Sequence, residues 1–230
     1  HSNQKINDWV GEWLCAAPVG ARLLSYRNYH LKHHKFTEQP EDPDLALSAP
    51  FPISRQSLWR KIVRDLTGQT ALKQRRAQLF GGRKDGEVVN ASTWHFLLTN
   101  ALLLGACIAS GYWWAYPALW LVPLATWFQF ITRIRNIGEH AVVDTKDDPF
   151  THARTTLANP IERLLLAPYW VHFHGEHHVF MHVPCYRLER MHRLLMEKGY
   201  WSRMRIAGGY AEVLRMATDK PAAREISAPA

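Results

Sequence analysis

The chain has 230 residues, a net charge of +8 and three cysteines, enough length for one ordinary domain with a real core. Cys15, Cys107 and Cys185 are far apart, odd in number and form no CxxC pair, so neither a disulfide framework nor a zinc ribbon is supported. A positive balance suits nucleic acid or a cytoplasmic membrane face. No nucleic-acid-binding motif accompanies it, and the charges instead bracket an apolar block, as Lys and Arg do beside spanning helices.

The chain begins at His1 in a polar segment without a signal peptide. Trp9, Val10, Trp13 and Leu14 recur at helical spacing, and Asn7 or Asp8 is placed to cap that helix. Tyr26 to Phe36 reads as a helix carrying His30, His33 and His34. From Thr37 to Pro52, four prolines mixed with Glu41, Asp42 and Asp44 make a loop. Ser54 to Leu79 reads as a basic amphipathic helix, capped by Ser54 and interrupted near Gly68. Gly81 to Gly86 is a loop.

From Val88 to Thr132 there is no Asp, Glu, Lys or Arg. That length suffices for two membrane spans of about 20 residues each. Gly111 breaks the block, which places spans over residues 93–110 and 113–132, the second tolerating Pro117 and Pro123. Trp94, Tyr112, Trp113, Trp114 and Trp127 form an aromatic belt near the span ends, and Arg83-Lys84 and Arg133-Arg135 flank the block. By the positive-inside rule the turn faces away from the cytoplasm and the histidines face it. A buried soluble hairpin is the alternative. Beyond it, Asn136 and His140 are four apart and share a face if the helix continues. Asp144 to Thr156 reads as a loop, Ile161 to Phe173 as an apolar amphipathic run, Tyr186 to Tyr200 as a basic helix, and the chain from Thr218 as a disordered tail.

His30-x-x-His33-His34 and His174-x-x-His177-His178 have identical spacing. Positions i, i+3 and i+4 project from one helix face, so each triplet is a nitrogen-donor surface for a transition metal. Two copies arise by chance with a likelihood on the order of one in a thousand. With His140 the imidazoles number seven, more than one tetrahedral site takes. Two metals are the economical reading, and an all-nitrogen set suits iron, zinc or copper alike.

These boxes, with a membrane hairpin between them and an Asn-x-x-x-His after it, resemble the membrane fatty-acid desaturase family. Tyr29 to His34 is similar to its second box. His174 to Phe180, continuing through Val183-Pro184 to Leu188 and His192, is similar to its third, and Arg64 to Gly68 and Arg154 to Thr156 resemble bacterial members. The resemblance implies an all-α integral membrane fold, a transmembrane hairpin with a cytosolic helical cap carrying the boxes. Residues 1–87 and 133–200 would be cytosolic, 88–132 the hairpin, and 201–230 a basic helix and tail. The family's first box and first hairpin would precede His1, in a chain truncated at its N-terminus and inactive as it stands. Met181-His182 stands where the family usually has Pro.

The resemblance further implies O2-dependent removal of hydrogen from a lipid acyl chain at two iron ions cycling between Fe2+ and Fe3+. His30, His33, His34, His140, His174, His177 and His178 would be ligands, with Asn136 completing the shell directly or through a water. Glu139 and Glu176 are placed to orient imidazole N–H groups. His95, His152, His172, His182 and His192 are read as non-ligands. No flavin or haem motif is present, so electrons would come from a ferredoxin or small cytochrome at the cytoplasmic face of a bacterial inner membrane. The boxes do not separate a desaturase from a di-iron hydroxylase or ketolase acting on alkanes, sphingolipids or carotenoids. A non-enzymatic metal-binding membrane protein is the reading from another class, and a zinc protease lacks any HExxH.

Overall fold

Asn3 rather than Asn7 or Asp8 caps the first helix. Its side-chain oxygen accepts from the backbone N–H of Lys5 and Ile6 in the computed structural model, which describes residues 3–80, 89–144 and 148–218. Helix α1 (Gln4–Val10) runs on through a wider π-helical stretch, Gly11–Ala16, and a short turn at Ala17–Val19. Helix α2 (Leu23–Phe36) carries the first histidine triplet. A short α3 (Leu45–Ser48) lies in the proline-rich loop. The basic amphipathic stretch forms α4 (Arg55–Leu66) and α5 (Gln69–Phe80), parted at Gly68 with φ +76°, a left-handed value that favours glycine. Ser54 caps α4 as its sequence suggests, accepting from Ser57 N–H. The loop at 81–86 and the Arg83-Lys84 flank lie outside the described residues.

The chain divides into two units, residues 1–32 with 62–130 and residues 33–61 with 131–230. In the first unit, α6 (Val89–Ala109) is long and apolar enough to cross a membrane over Ser92–Ala109. Its large side chains are turned outward: Leu102 is 64% exposed and Trp94 70%. The helix thus presents a broad exposed apolar face, which agrees with a membrane-spanning segment. After Gly111, the second apolar run is not one regular helix. It is π-helical over Tyr116–Leu121, becomes α7 (Val122–Ala125), breaks at Thr126 and resumes as α8 (Trp127–His140). Pro117 and Pro123 remove backbone donors and force those irregularities. Asn100, buried on α6, ties this run down. Its side-chain oxygen accepts from Tyr116 Oη and Trp120 Nε1, and its amide donates to the carbonyls of Phe96 and Pro18. All its hydrogen-bonding capacity is used, as a polar group in an apolar layer requires.

The second unit is built around the end of α8. Ile134, Ile137 and Ala141 are buried there, and a Cβ on Gly138 would stand 2.8 Å from the Tyr210 ring. That glycine admits α12 (Tyr210–Thr218), which buries Tyr210, Val213 and Ala217. Two three-residue strands, β1 (Arg154–Thr156) and β2 (Arg205–Ala207), pair in parallel with Thr155 opposite Ile206. Between them lie α9 (Pro160–Leu165), α10 (His174–Val179) and α11 (Leu188–Glu197). The expected continuous run from Ile161 to Phe173 is broken. Pro168 ends helical backbone, and Tyr169 and Trp170 adopt left-handed φ values of +58° and +56°. The described part of the chain is helical as expected, with the strand pair as an addition; residues 145–147 and the tail from 219 lie outside the described residues.

Candidate metal centre

Helices α2, α8 and α10 each deliver imidazoles to one buried point. His33, His140, His174 and His178 are all buried, and one ligand nitrogen of each lies within 4.8 Å of every other. The contacts are between Nε2 atoms: His33 to His140 at 3.1 Å, His140 to His174 at 2.8 Å, and His174 to His178 at 3.1 Å. Nearby, His34 Nε2 is 2.9 Å from His177 Nε2. His30 lies one turn before His34 on α2, and Asn136 is half-buried one turn before His140 on α8. The helix does continue past the apolar run, which is the condition for Asn136 and His140 to share a face.

The remaining ring nitrogens fix the tautomers. His33 Nδ1 donates to Asp42 Oδ1 at 2.8 Å, His140 Nδ1 to the His152 carbonyl at 3.2 Å, and His178 Nδ1 to Thr37 Oγ1 at 3.3 Å. Thr37 itself donates to the His33 carbonyl, so its oxygen is free to accept. A neutral imidazole has one N–H. With that proton on Nδ1, the Nε2 lone pairs of His33, His140 and His178 converge bare. Burial first, and neighbouring imidazoles second, hold His140, His174 and His178 well below the ordinary histidine pKa. They are neutral donors at physiological pH.

This arrangement fits a transition metal. Two imidazole nitrogens bound side by side to one ion at about 2.0–2.2 Å stand about 2.8–3.6 Å apart, and the observed separations fall at the short end of that range. Lone pairs facing each other at 3 Å repel unless a cation lies between them. The donor set is all nitrogen, as the spacing of the triplets implies.

The groups that orient the imidazoles differ from the expectation. Glu139 turns to Arg135, which donates to its Oε1 from Nε and Nη2 at 3.2 and 3.0 Å; burial raises the Glu139 pKa. Glu176 accepts from Thr155 Oγ1 and His192 Nδ1, both at 2.6 Å. Neither carboxyl touches a clustered imidazole, because a residue adjacent to a ligand on a helix points about 100° away from it. The orienting role falls to Asp42, Thr37 and the His152 carbonyl. Asp42 also accepts from the backbone N–H of Glu38 and Asp44, so it shapes its own loop. A second missed group is Glu38, buried at a left-handed φ of +59°, whose Oε1 lies 3.9 Å from His140 Nδ1. Burial raises its pKa. The signal for both was the acidic character of a loop directly after a histidine triplet. Of the histidines read as non-ligands, His152 packs its ring 5.3 Å from that of His178, and His172 bonds the Thr156 carbonyl.

No curated protein and no solved structure matches the chain. A sequence family described as fatty acid desaturase matches residues 1–209, nearly the whole of it. Membrane association is a property of that family, with which the outward-facing apolar α6 agrees; metal dependence is another, with which the buried imidazole cluster agrees. On that match the chain belongs to the fatty acid desaturase family, a family of oxidoreductases.

Proposed function

We propose that the protein is an O2-dependent di-iron desaturase that places a C=C bond in a lipid acyl chain. The observation that carries this reading is the convergence of the Nε2 atoms of His33, His140, His174 and His178, three of them held bare by partners on Nδ1, with the His34–His177 pair as a second donor group. His30, His33, His34, Asn136, His140, His174, His177 and His178 are assigned as the ligand set for two irons. Bound iron supplies what no side chain has, the redox capacity to attack an unactivated C–H bond.

The chain's own residues bind, orient and exclude water. Asp42, Thr37 and the His152 carbonyl hold three Nε2 lone pairs inward. Burial keeps the imidazoles deprotonated and strengthens each electrostatic contact at the site. Forming one double bond takes two electrons and two protons from the chain, while reducing O2 to two waters takes four of each. The other two electrons come from a donor protein, a ferredoxin or small cytochrome, docking at the cytoplasmic face. In this reading α6 and the run over residues 113–132 form a membrane hairpin with the boxes on the cytoplasmic side. The apolar groove of about 450 Å³ lined by Trp13, Trp94, His95, Leu97, Leu98 and Ala101 offers surface to lipid chains.

The test is metal analysis with a product assay on the full-length protein in membranes. About two irons per chain and a new double bond are expected. An inserted oxygen would move the protein to the hydroxylases, and zinc without turnover would sink the desaturase reading.

A further inference from the structure

Strand β1 touches none of the converging nitrogens, yet it holds two ligand-bearing helices, α8 and α10. Helix α8 ends at His140, and two residues on Val142 takes a left-handed φ of +57°. That conformation is costly for a β-branched residue. The buried Arg154 closes over this end. Its Nη1 donates to the carbonyls of Ile137 and Gly138, both at 3.3 Å, and its Nη2 to those of Ala141 at 2.6 Å and Val142 at 2.9 Å. Helix-end carbonyls lack intrahelical partners and carry the negative end of the dipole. A planar five-donor cation matches them as lysine cannot. Burial lowers the Arg154 pKa to about 10, so it remains charged at neutral pH.

Successive side chains of a strand point to opposite faces. Arg154 therefore faces α8, and Thr155 faces α10. Thr155 Oγ1 donates to Oε2 of the fully buried Glu176, while Oε1 takes His192 Nδ1 from α11. A Cβ on Gly175 would stand 2.8 Å from Thr155 Oγ1, so the glycine inside the third box is what admits the strand. Thr156 completes the junction, donating its N–H to the His172 carbonyl at 2.8 Å.

We infer that Arg154 and Thr155 are positioning residues: from the two faces of one short strand they set the helix carrying His140 against the helix carrying His174 and His178. Neither contacts a ligand nitrogen, and each acts through a helix end or through Glu176. The inference rests on the metal-binding reading above. It predicts that metal affinity and ligand field depend on β1 more than overall stability does.

The test is titration of cobalt(II) into the full, metal-stripped chain in detergent, following the visible d–d bands. Thr155→Val and Arg154→Lys should each weaken cobalt binding about tenfold or more, the range seen for groups that orient ligands, and shift the bands. Thr155→Ser, which keeps the hydroxyl, should stay within about threefold of the parent by the same measure. Val213→Ala, a core truncation in α12, should lower the melting temperature without moving either readout. Unchanged affinity and bands in Thr155→Val and Arg154→Lys would overturn the inference, as would an equal loss in Val213→Ala. If Thr155→Val does not fold, Arg154→Lys against Thr155→Ser and Val213→Ala decides. A parent chain that takes up no cobalt would remove the metal-binding reading itself, a separate outcome.

Discussion

Helix α2 carries its histidines near the end of 14 helical residues, and α10 carries the same spacing on six. An isolated helix of six residues has no stability of its own, since nucleation costs more than one turn returns. Its form is imposed from outside, by Thr155 and His192 on Glu176 and by the close approach at Gly175. Helix α2 has length enough to hold its own geometry, and what its box receives from outside goes to a ring: Asp42 bonds the His33 imidazole directly. The first box thus receives its support mainly at a ring, whereas the third needs its backbone placed as well as its His178 ring held by Thr37. Equal spacing hides unequal support, and the two respond to different substitutions.

The largest effect should come from the donors themselves. In the full-length protein, His33→Ala on α2 and His178→Ala on α10 each remove one of four converging nitrogens, and each should bring product below detection while membrane insertion is unchanged. Gas chromatography of the lipids, with membrane fractionation alongside, checks both. If one variant kept activity, its box would have no part in the shared site. His177→Ala asks the same of the His34–His177 pair.

Proton competition comes next and weighs more on α10, which supplies two of the three strongly depressed imidazoles, with α8 supplying the third. Their folded pKa values lie below the unfolded value of about 6.5. Above that pH both states are neutral and nothing is lost. As pH falls below it, the unfolded chain takes protons that the folded, metal-free site refuses. Stability should fall by up to about 4 kcal/mol between pH 7.5 and 5.5 for three such groups. Denaturation of the metal-free protein at the two pH values measures this. His174→Gln should remove about a third of the difference by the same linkage. A flat profile would mean that the imidazoles are not buried as described.

How much of this could be seen in the residues depends on the range of the interaction. The histidine spacing, the break at Gly68 and the turn at Gly111 are local, and the chain displays them directly. Helix α1 begins earlier than its apolar spacing suggests because Asn3 captures the free N–H groups before Asn7 or Asp8 can. The second apolar run looks continuous because hydropathy does not register the donors lost at Pro117 and Pro123. Asp42 sits eight residues past His34 among prolines, where acidic residues usually mean a solvated loop. Only folding shows that it turns back to His33. Strands β1 and β2 have three residues each and lie about fifty apart, too short for any period and too distant for a turn signal. Glu139 and Glu176 invited a role beside the ligands by adjacency, which on a helix means pointing elsewhere.

The difference in support sharpens with Asp42→Asn. The amide keeps the shape but cannot accept from Glu38 N–H on its nitrogen side, and it no longer places a carboxylate against the His33 ring. Metal affinity should drop about 10–100-fold, with a change in the spectrum of bound cobalt that reports His33 basicity. Glu176→Gln should act through the placing of α10 instead, so rings oriented at Nδ1 keep their partners. Identical spectra from the two variants would erase the distinction between the boxes.

The smallest effect tests the one side chain that serves both boxes. Thr37 Oγ1 donates to the His33 carbonyl at 2.8 Å and receives His178 Nδ1 at 3.3 Å. Thr37→Val keeps the volume and removes both bonds. Each is an ordinary hydrogen bond, worth about 1 kcal/mol or less net, and the second is long. Stability of the metal-free protein should fall by about 1–2 kcal/mol. His178 then loses the acceptor that holds its proton on Nδ1, which lets the proton move to Nε2 and blocks that nitrogen toward a metal. Thr37→Ser restores an oxygen at the same place and should recover most of both effects. The informative comparison is with Asp42→Asn. Because Thr37 touches the α10 ring as well as the α2 backbone, its loss should weaken metal binding by a smaller factor while disturbing the His178 nitrogen resonances, which isotope-edited NMR of labelled histidine resolves. If only His33 resonances moved, Thr37 would be no more than a helix-end bond of α2.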